Sequence, residues 1–192
     1  MHFVSMQKCS KNHGFTLIEL LVVIAIIGLL LSALLVSFSS VRSKARDAKR
    51  IADVQQLMKA LELFYNENGA YPVSGNCGAT LPETDWCNSV ESLSDGRWVR
   101  NGSTNLGKFL AADPLDPKQG SSPNWLPFNG GTIFYYANNY GGPGQWYMIV
   151  FGLENYPHPL EEQDGVRACD GTNFHHGTNS NGIITIGADC RF

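Results

Sequence analysis

From Leu20 to Val41 the chain runs 22 residues without a charged side chain. At about 1.5 Å of rise per residue, a helix of that length spans roughly 33 Å, enough for a hydrocarbon core. The pattern then changes rather than stops. Val41, Ala45, Ala48, Ile51 or Ala52, Val54, Leu57, Leu61 and Phe64 recur at steps of three and four. Arg46, Asp47, Lys49, Arg50 and Asp53 are assigned to the other faces, so the spacing predicts an amphipathic helix with one apolar stripe. No proline interrupts it before Pro72, and Asn68-Gly69 supplies a stop. One helix from about Thr16 to about Glu67 is expected, roughly 75 Å long, apolar all round in its first half and one-sided in its second.

Beyond Pro72 the pattern is loop-rich to about Gly131, with Asp113 to Pro117 (DPLDP) as a rigid turn. Thr132–Tyr136 and Gln145–Phe151 read as strands joined by the turn-rich segment from Asn138 to Gly144, and Ile183–Ile186 as a third. Three or more antiparallel strands can cover the apolar stripe of the helix. The expected fold class is α+β. A long N-terminal α-helix, with a membrane half and an amphipathic half, packs against a small antiparallel sheet in a loop-rich, disulfide-stapled globular head.

Charge changes the picture little: 14 basic side chains stand against 17 acidic ones, without the basic stripe of a nucleic-acid binder. Arg42, Lys44, Arg46, Lys49 and Arg50 cluster directly after the apolar run, where they mark a membrane–water boundary rather than a phosphate site. The run is longer than the apolar part of an ordinary secretory signal and no clear Ala-x-Ala cleavage site follows, so a permanent membrane helix is the expectation and a cleavable secretory signal the alternative. Counted naively, the positive-inside rule places the head in the cytoplasm. The cysteines argue for the opposite side. Cys77, Cys87, Cys169 and Cys190 all follow the run, and in an oxidising compartment they pair. Three connectivities are open; Cys77–Cys87 with Cys169–Cys190 closes the shortest loops and is the expectation. Zinc-type ligand spacing is absent from the sequence.

No catalytic motif is present, and no catalytic residue is assigned. His175-His176 in a Thr/Asn/Gly loop reads as a solvated pair rather than a metal site. Asp164, Asp170 and Asp189 are a candidate calcium set without EF-hand spacing, so no cofactor is expected. Trp86, Trp98, Trp125 and Tyr140 are candidates for subunit contacts, with core or loop packing as the plainer assignment.

One acid stands at the head of the apolar run. Thr16-Leu17-Ile18-Glu19 fits a capping box, and Phe15 and Leu20 sit where a hydrophobic staple would. In lipid, however, an unpaired carboxylate costs about 2.5–3.5 kcal/mol, and the run contains no cation to pair with it.

The stretch from Gly14 to Gly28 (GFTLIELLVVIAIIG) resembles the N-terminal signature of type IV pilins and the related type II secretion pseudopilins. The likeness covers residues 8–40 closely and continues more loosely through the second half of the helix. It implies a cleaved leader at 1–14, a transmembrane and assembly half at 15–41, an amphipathic half at 42–68 and a globular head at 69–192. It also implies cutting between Gly14 and Phe15 by a prepilin peptidase that methylates the new N-terminus, with the head outside the membrane. Loss of Lys8 and Lys11 with the leader takes the 14 basic side chains to 12 against 17 acidic, a formal −5. The Phe15 ammonium of a neighbouring copy then becomes the partner Glu19 lacks, and that pairing favours one helix stagger over the others. The implied partners are further copies in a helical filament, the prepilin peptidase and methyltransferase, the bacterial inner membrane and a pilus assembly platform. The implied location is the inner membrane before assembly and a cell-surface filament, or a periplasmic pseudopilus, afterwards. A likeness of position also places Cys169 and Cys190 at a C-terminal disulfide-bounded loop. Unlike many pilins, the membrane half carries no proline; Gly28 is its local helix-weakening residue. A pilin is the principal expectation and a major pseudopilin the alternative. A single-pass, membrane-anchored binding module that does not polymerise is the alternative of another class.

Overall fold

The computed structural model describes residues 14–74, 86–89, 106–118, 133–138, 140–162, 165–176 and 182–191, apart from the side chains of 33–37. The chain divides into two compact units, Met1–Val41 and Arg42–Phe192. A single helix, α1, runs Leu17–Asn68. Its start is a capping box. Thr16 Oγ1 accepts the Glu19 N–H at 3.3 Å, and Glu19 Oε2 accepts the Thr16 N–H at 2.9 Å. Its end is set by Gly69, at φ +74°, whose N–H bonds the Tyr65 carbonyl at 2.7 Å. That left-handed cap costs glycine no side-chain clash.

In the first unit every described side chain from 14 to 32 and from 38 to 41 is exposed. Among the described residues no helix is long and apolar enough to cross a membrane. The side chains of 33–37, which belong to the apolar run in the sequence, lie outside that description.

In the second unit a four-stranded antiparallel sheet packs on α1. It comprises β1 (Cys87–Asn88), β2 (Ile133–Tyr136), β3 (Tyr147–Gly152) and β6 (Ile183–Ala188), in the order β1-β2-β3-β6. Tyr135 pairs with Cys87 and Ile149, and Ile149 pairs in turn with Ile186. A separate two-stranded ribbon joins β4 (Val166–Arg167) and β5 (Asn173–Phe174). The sheet is buried on both faces. Ile133, Tyr135, Tyr147, Ile149 and Phe151 meet Val54, Leu57, Ala60 and Leu61 of α1 in one cluster. The alternate residues Phe134, Tyr136, Met148 and Val150 form a second cluster with Trp146, Val166 and Ala168. Strand period thus sorts the unbroken runs IFYY and YMIVFG into two cores. Each fully buried leucine of the helix stripe contributes about 1.5–3 kcal/mol.

The expected strands are present with shifted ends, β3 beginning at Tyr147 and β6 continuing to Ala188. The helix stripe needs a correction. Ala45 and Ala48 are exposed, whereas Asp47 and Arg50, assigned to the outer faces, are buried. Residues 47, 50, 54, 57 and 61 follow one another at steps of three and four, so the two charges share the face of Val54, Leu57 and Leu61. The buried face of the helix therefore begins with ions and continues with leucines.

Candidate functional site

Two places in the chain carry chemistry that packing alone does not account for. The first is the start of α1. Phe15 and Leu17 are each 82% exposed, and Ile18, Leu20, Leu21 and Ile24 are exposed too. Among the described residues nothing of its own unit covers this apolar surface, and a surface of this kind marks an interaction site. Glu19 stands within it. Its Oε2 takes the Thr16 hydroxyl at 2.7 Å as well as the Thr16 N–H at 2.9 Å. Among the described residues both donors to the carboxylate bond Oε2, and Oε1 meets none. Gly14 and Phe15 immediately precede the capping box, outside the helix proper, and a Cβ added at Gly14 would meet nothing within 4 Å.

The second place is a charge network built on Arg46, Asp47 and Arg50, which the helical pattern assigned to the outer faces. Arg50 is fully buried and grips Asp116 with a fork, Nε to Oδ2 at 2.7 Å and Nη2 to Oδ1 at 3.0 Å. Its Nη1 donates to Asp47 at 2.7 Å and to Glu154 at 2.9 Å. Arg46 forks onto Glu154 at 2.7 and 2.6 Å, and Lys118 reaches the same carboxylate at 2.6 Å. Asp47 also accepts from the backbone N–H groups of Glu154 and Asn155, each at 2.9 Å, and from the Asn155 amide at 2.7 Å. Two loops, 113–118 and 153–158, are thereby bolted to the helix. The Arg46 bond is the main cause holding the Glu154 carboxyl well below its ordinary range. Burial alone would lower the pKa of Arg50, but its bonds to Asp116, Glu154 and Asp47 raise it above the usual value. Burial likewise works to raise Asp47, and the bonds from Glu154 and Asn155 outweigh it, leaving the carboxyl lowered. The turn expected at Asp113 to Pro117 is thus a counter-ion loop, with Asp116 only 3% exposed.

Cys169 and Cys190 form a disulfide across 21 residues, as expected. Cys87 is also disulfide-bonded, to a partner outside the described residues, where Cys77 lies. The C-terminal segment is tied further by Arg191, whose Nη2 meets Glu62 at 2.8 and 3.0 Å and whose guanidinium lies over Tyr65.

Of the candidate calcium residues, Asp164 lies outside the described residues. Asp170 accepts the Thr172 N–H and Asp189 the Arg167 N–H, each at 2.8 Å. Among the described residues no three metal-ligating side chains gather. His176 packs against Trp86 and stacks on Phe174, and burial first, then His175, lowers its pKa. Trp86 packs against Tyr136, and Tyr140, 40% exposed, against Phe174; Trp98 and Trp125 lie outside the described residues.

A family profile for the prokaryotic N-terminal methylation motif matches residues 9–35. The type II secretion system core protein G of Escherichia coli K12 is 36% identical over 114 residues, covering 58% of this chain and 70% of that protein. Its namesake from Klebsiella pneumoniae is 34% identical over 119 residues, covering 50% of this chain and 85% of that protein. The type IV major pilin protein PilA of Myxococcus xanthus is 32% identical over 73 residues, 38% of this chain and 33% of that protein. The chain belongs to the type IV pilin and type II secretion pseudopilin family. No solved structure matches it. Membership gives the exposed apolar surface of this pilin-family helix its context, because a filament subunit needs such a surface for its neighbours. The Arg50 network had a readable signal, since Asp47 and Arg50 keep the three-and-four step of the leucines. Its partners Asp116 and Glu154 had none, being 66 and 104 positions away.

Proposed function

We propose that this chain is a structural subunit of a type IV pilus-like filament, made as a membrane-anchored precursor. The apolar run, Leu20 to Val41, holds the precursor in the inner membrane. A prepilin peptidase removes residues 1–14, leaving methylated Phe15 at the N-terminus. On assembly, the Phe15 ammonium of one copy meets Glu19 of the next, and the second unit, with its disulfides, faces outward. The observation that carries the reading is the apolar start of α1, exposed along its described length, with a single carboxylate whose second oxygen meets no donor among the described residues. A carboxylate in that surface is stable against lipid or a neighbouring helix only where a cation arrives, so it selects one register among the possible staggers.

Mass spectrometry of the purified protein tests the processing step: a chain beginning at methylated Phe15 is expected, and an intact Met1 terminus sinks the reading. Glu19→Ala tests the pairing. It should leave a processed, membrane-inserted protein that assembles poorly, and a normal filament yield would remove the proposed role of Glu19.

A short periplasmic pseudopilus is the second reading. It is favoured by relatives named core protein G, whose alignments cover 70% and 85% of those proteins, where PilA is matched over 33%. Electron microscopy of sheared surface material separates the two, long fibres supporting the pilus and their absence the pseudopilus.

A further inference from the structure

The ribbon β4–β5 is fastened to the rest of the second unit in two different ways. Toward its turn the fastening is covalent and main-chain. Cys169 is joined to Cys190, the Cys190 N–H meets the Arg167 carbonyl at 2.9 Å, and the Asp170 N–H meets the Tyr140 carbonyl at 3.0 Å. Toward the far end of β5 the fastening is aromatic stacking and one histidine. The Phe174 ring lies parallel to Trp146 at 5.3 Å and edge-on to Tyr140 at 4.8 Å. Two positions on, at the spacing that keeps one strand face, His176 stacks on Phe174 at 6.3 Å and stands edge-on to Trp86 at 5.9 Å.

His176 also makes a reciprocal contact with Thr185 of β6, a buried residue. Thr185 Oγ1 accepts the His176 N–H at 3.0 Å and lies 3.3 Å from Nδ1. The Thr185 hydroxyl then donates to Nδ1, an arrangement that assigns a neutral imidazole with its proton on Nε2. A proton arriving on Nδ1 turns that acceptor into a donor and takes away the partner of a buried hydroxyl. The charged ring also gains no counter-ion. Phe174 on β5, Trp86 before β1 and Thr185 on β6 are its neighbours, and none is charged. Among the described residues the titratable group that acts on it is the exposed His175, which opposes a second positive charge. Asp170 and Asp189 are engaged toward the turn, where they accept the backbone N–H groups of Thr172 and Arg167. Burial first, then His175, therefore favours the neutral form. A histidine lowered in the folded state contributes fully above its ordinary value of about 6.5. That contribution is lost as pH falls from there through the folded value.

We propose that His176 is an acid-released latch: its neutral imidazole holds the end of β5 against Thr185 and Trp86, and protonation frees that end. Phe174 leaves Trp146 with it, so the second unit offers an aromatic surface in acid that is covered at neutral pH. The disulfide keeps the turn in place, which makes the release local. The latch lies wholly within the second unit and does not depend on the filament reading.

The test is amide exchange in the full chain, in detergent and under non-reducing conditions, expressed as protection relative to the intrinsic rate at each pH. One proton coupled to opening changes the open population by at most about tenfold per pH unit. Protection at Phe174 and His176 should fall severalfold between about pH 7.5 and about pH 5.5, while that at Ala168 and along β3 holds. His176→Phe keeps a ring in the stack and cannot titrate, so it should abolish the fall; His175→Gln should leave most of it. Nuclear magnetic resonance of the imidazole protons in the unsubstituted chain should show His176 titrating below the ordinary histidine value, whether or not His176→Phe folds. A fall that persists in His176→Phe, or that vanishes in His175→Gln, overturns the proposal. So does an equal fall along β3, which assigns the acid effect to the Glu154 and Asp47 network. Titration of His176 at or above the ordinary value overturns it as well.

Discussion

Replacing Arg50 with methionine should destabilise the second unit through one particular carboxylate. The guanidinium is fully buried and serves three acids. Its loss does not strand them equally. Asp47 keeps three donors, from Glu154 and Asn155, and Glu154 keeps Arg46 and Lys118. Asp116 loses both arms of its fork and retains the backbone N–H of Lys118 at 2.7 Å. Its side chain has no solvent exposure to recover hydration. Removing one partner of such a buried pair costs about 3–5 kcal/mol, a large share of the roughly 5–15 kcal/mol that holds a domain together. Urea unfolding of the full chain in detergent, followed by tryptophan fluorescence from the buried Trp146, measures the loss. The argument also predicts which second change restores stability. Asp116→Asn in the Arg50→Met background should recover much of it, because the stranded charge is removed. Asp47→Asn should not, since Asp47 is satisfied without Arg50. A loss below about 1 kcal/mol for Arg50→Met, or equal rescue by both second changes, would refute the assignment of the cost to Asp116.

The same network sets a pH dependence. Glu154 and Asp47 have carboxyls lowered in the folded state, so their contribution is present above their unfolded values and lost as pH falls through the folded ones. Urea midpoints should hold steady near neutrality and decline progressively below about pH 5, with a shallower decline in Glu154→Gln. Cys169→Ala should lower stability by about 3 kcal/mol, from a loop of 21 residues, in unfolding under non-reducing conditions. Gly165→Ala should unfasten the β4–β5 ribbon, because Gly165 sits at φ +79° and an added Cβ would lie 2.1 Å from the Phe174 carbonyl oxygen. Amide exchange at Val166 and Phe174 should then quicken while that of β3 stays slow. Thr16→Ala should cost the helix start about 0.5–2 kcal/mol, read as faster exchange in its first turn.

Much of this protein is local, and what is local was legible in its sequence. The capping box at Thr16 and Glu19, the stop at Gly69 and the apolar run are matters of spacing within a few residues. The continuous runs at 133–136 and 147–152 announce strands for the same reason, although β1, β4 and β5, two residues each, give no periodic signal. They are strands only because a neighbour pairs with them, Cys87 with Tyr135 and Val166 with Phe174. The charge network shows the limit most sharply. A sequence assigns charged residues to solvent by default, because an isolated buried ion is prohibitively costly. Asp47 and Arg50 escape that rule because Asp116 and Glu154 return from distant loops to meet them. The tertiary fold alone decides that meeting, and with it the loops held against α1. Helix, strands and assembly surface follow from short-range pattern; which charges are buried follows from long-range closure of the chain.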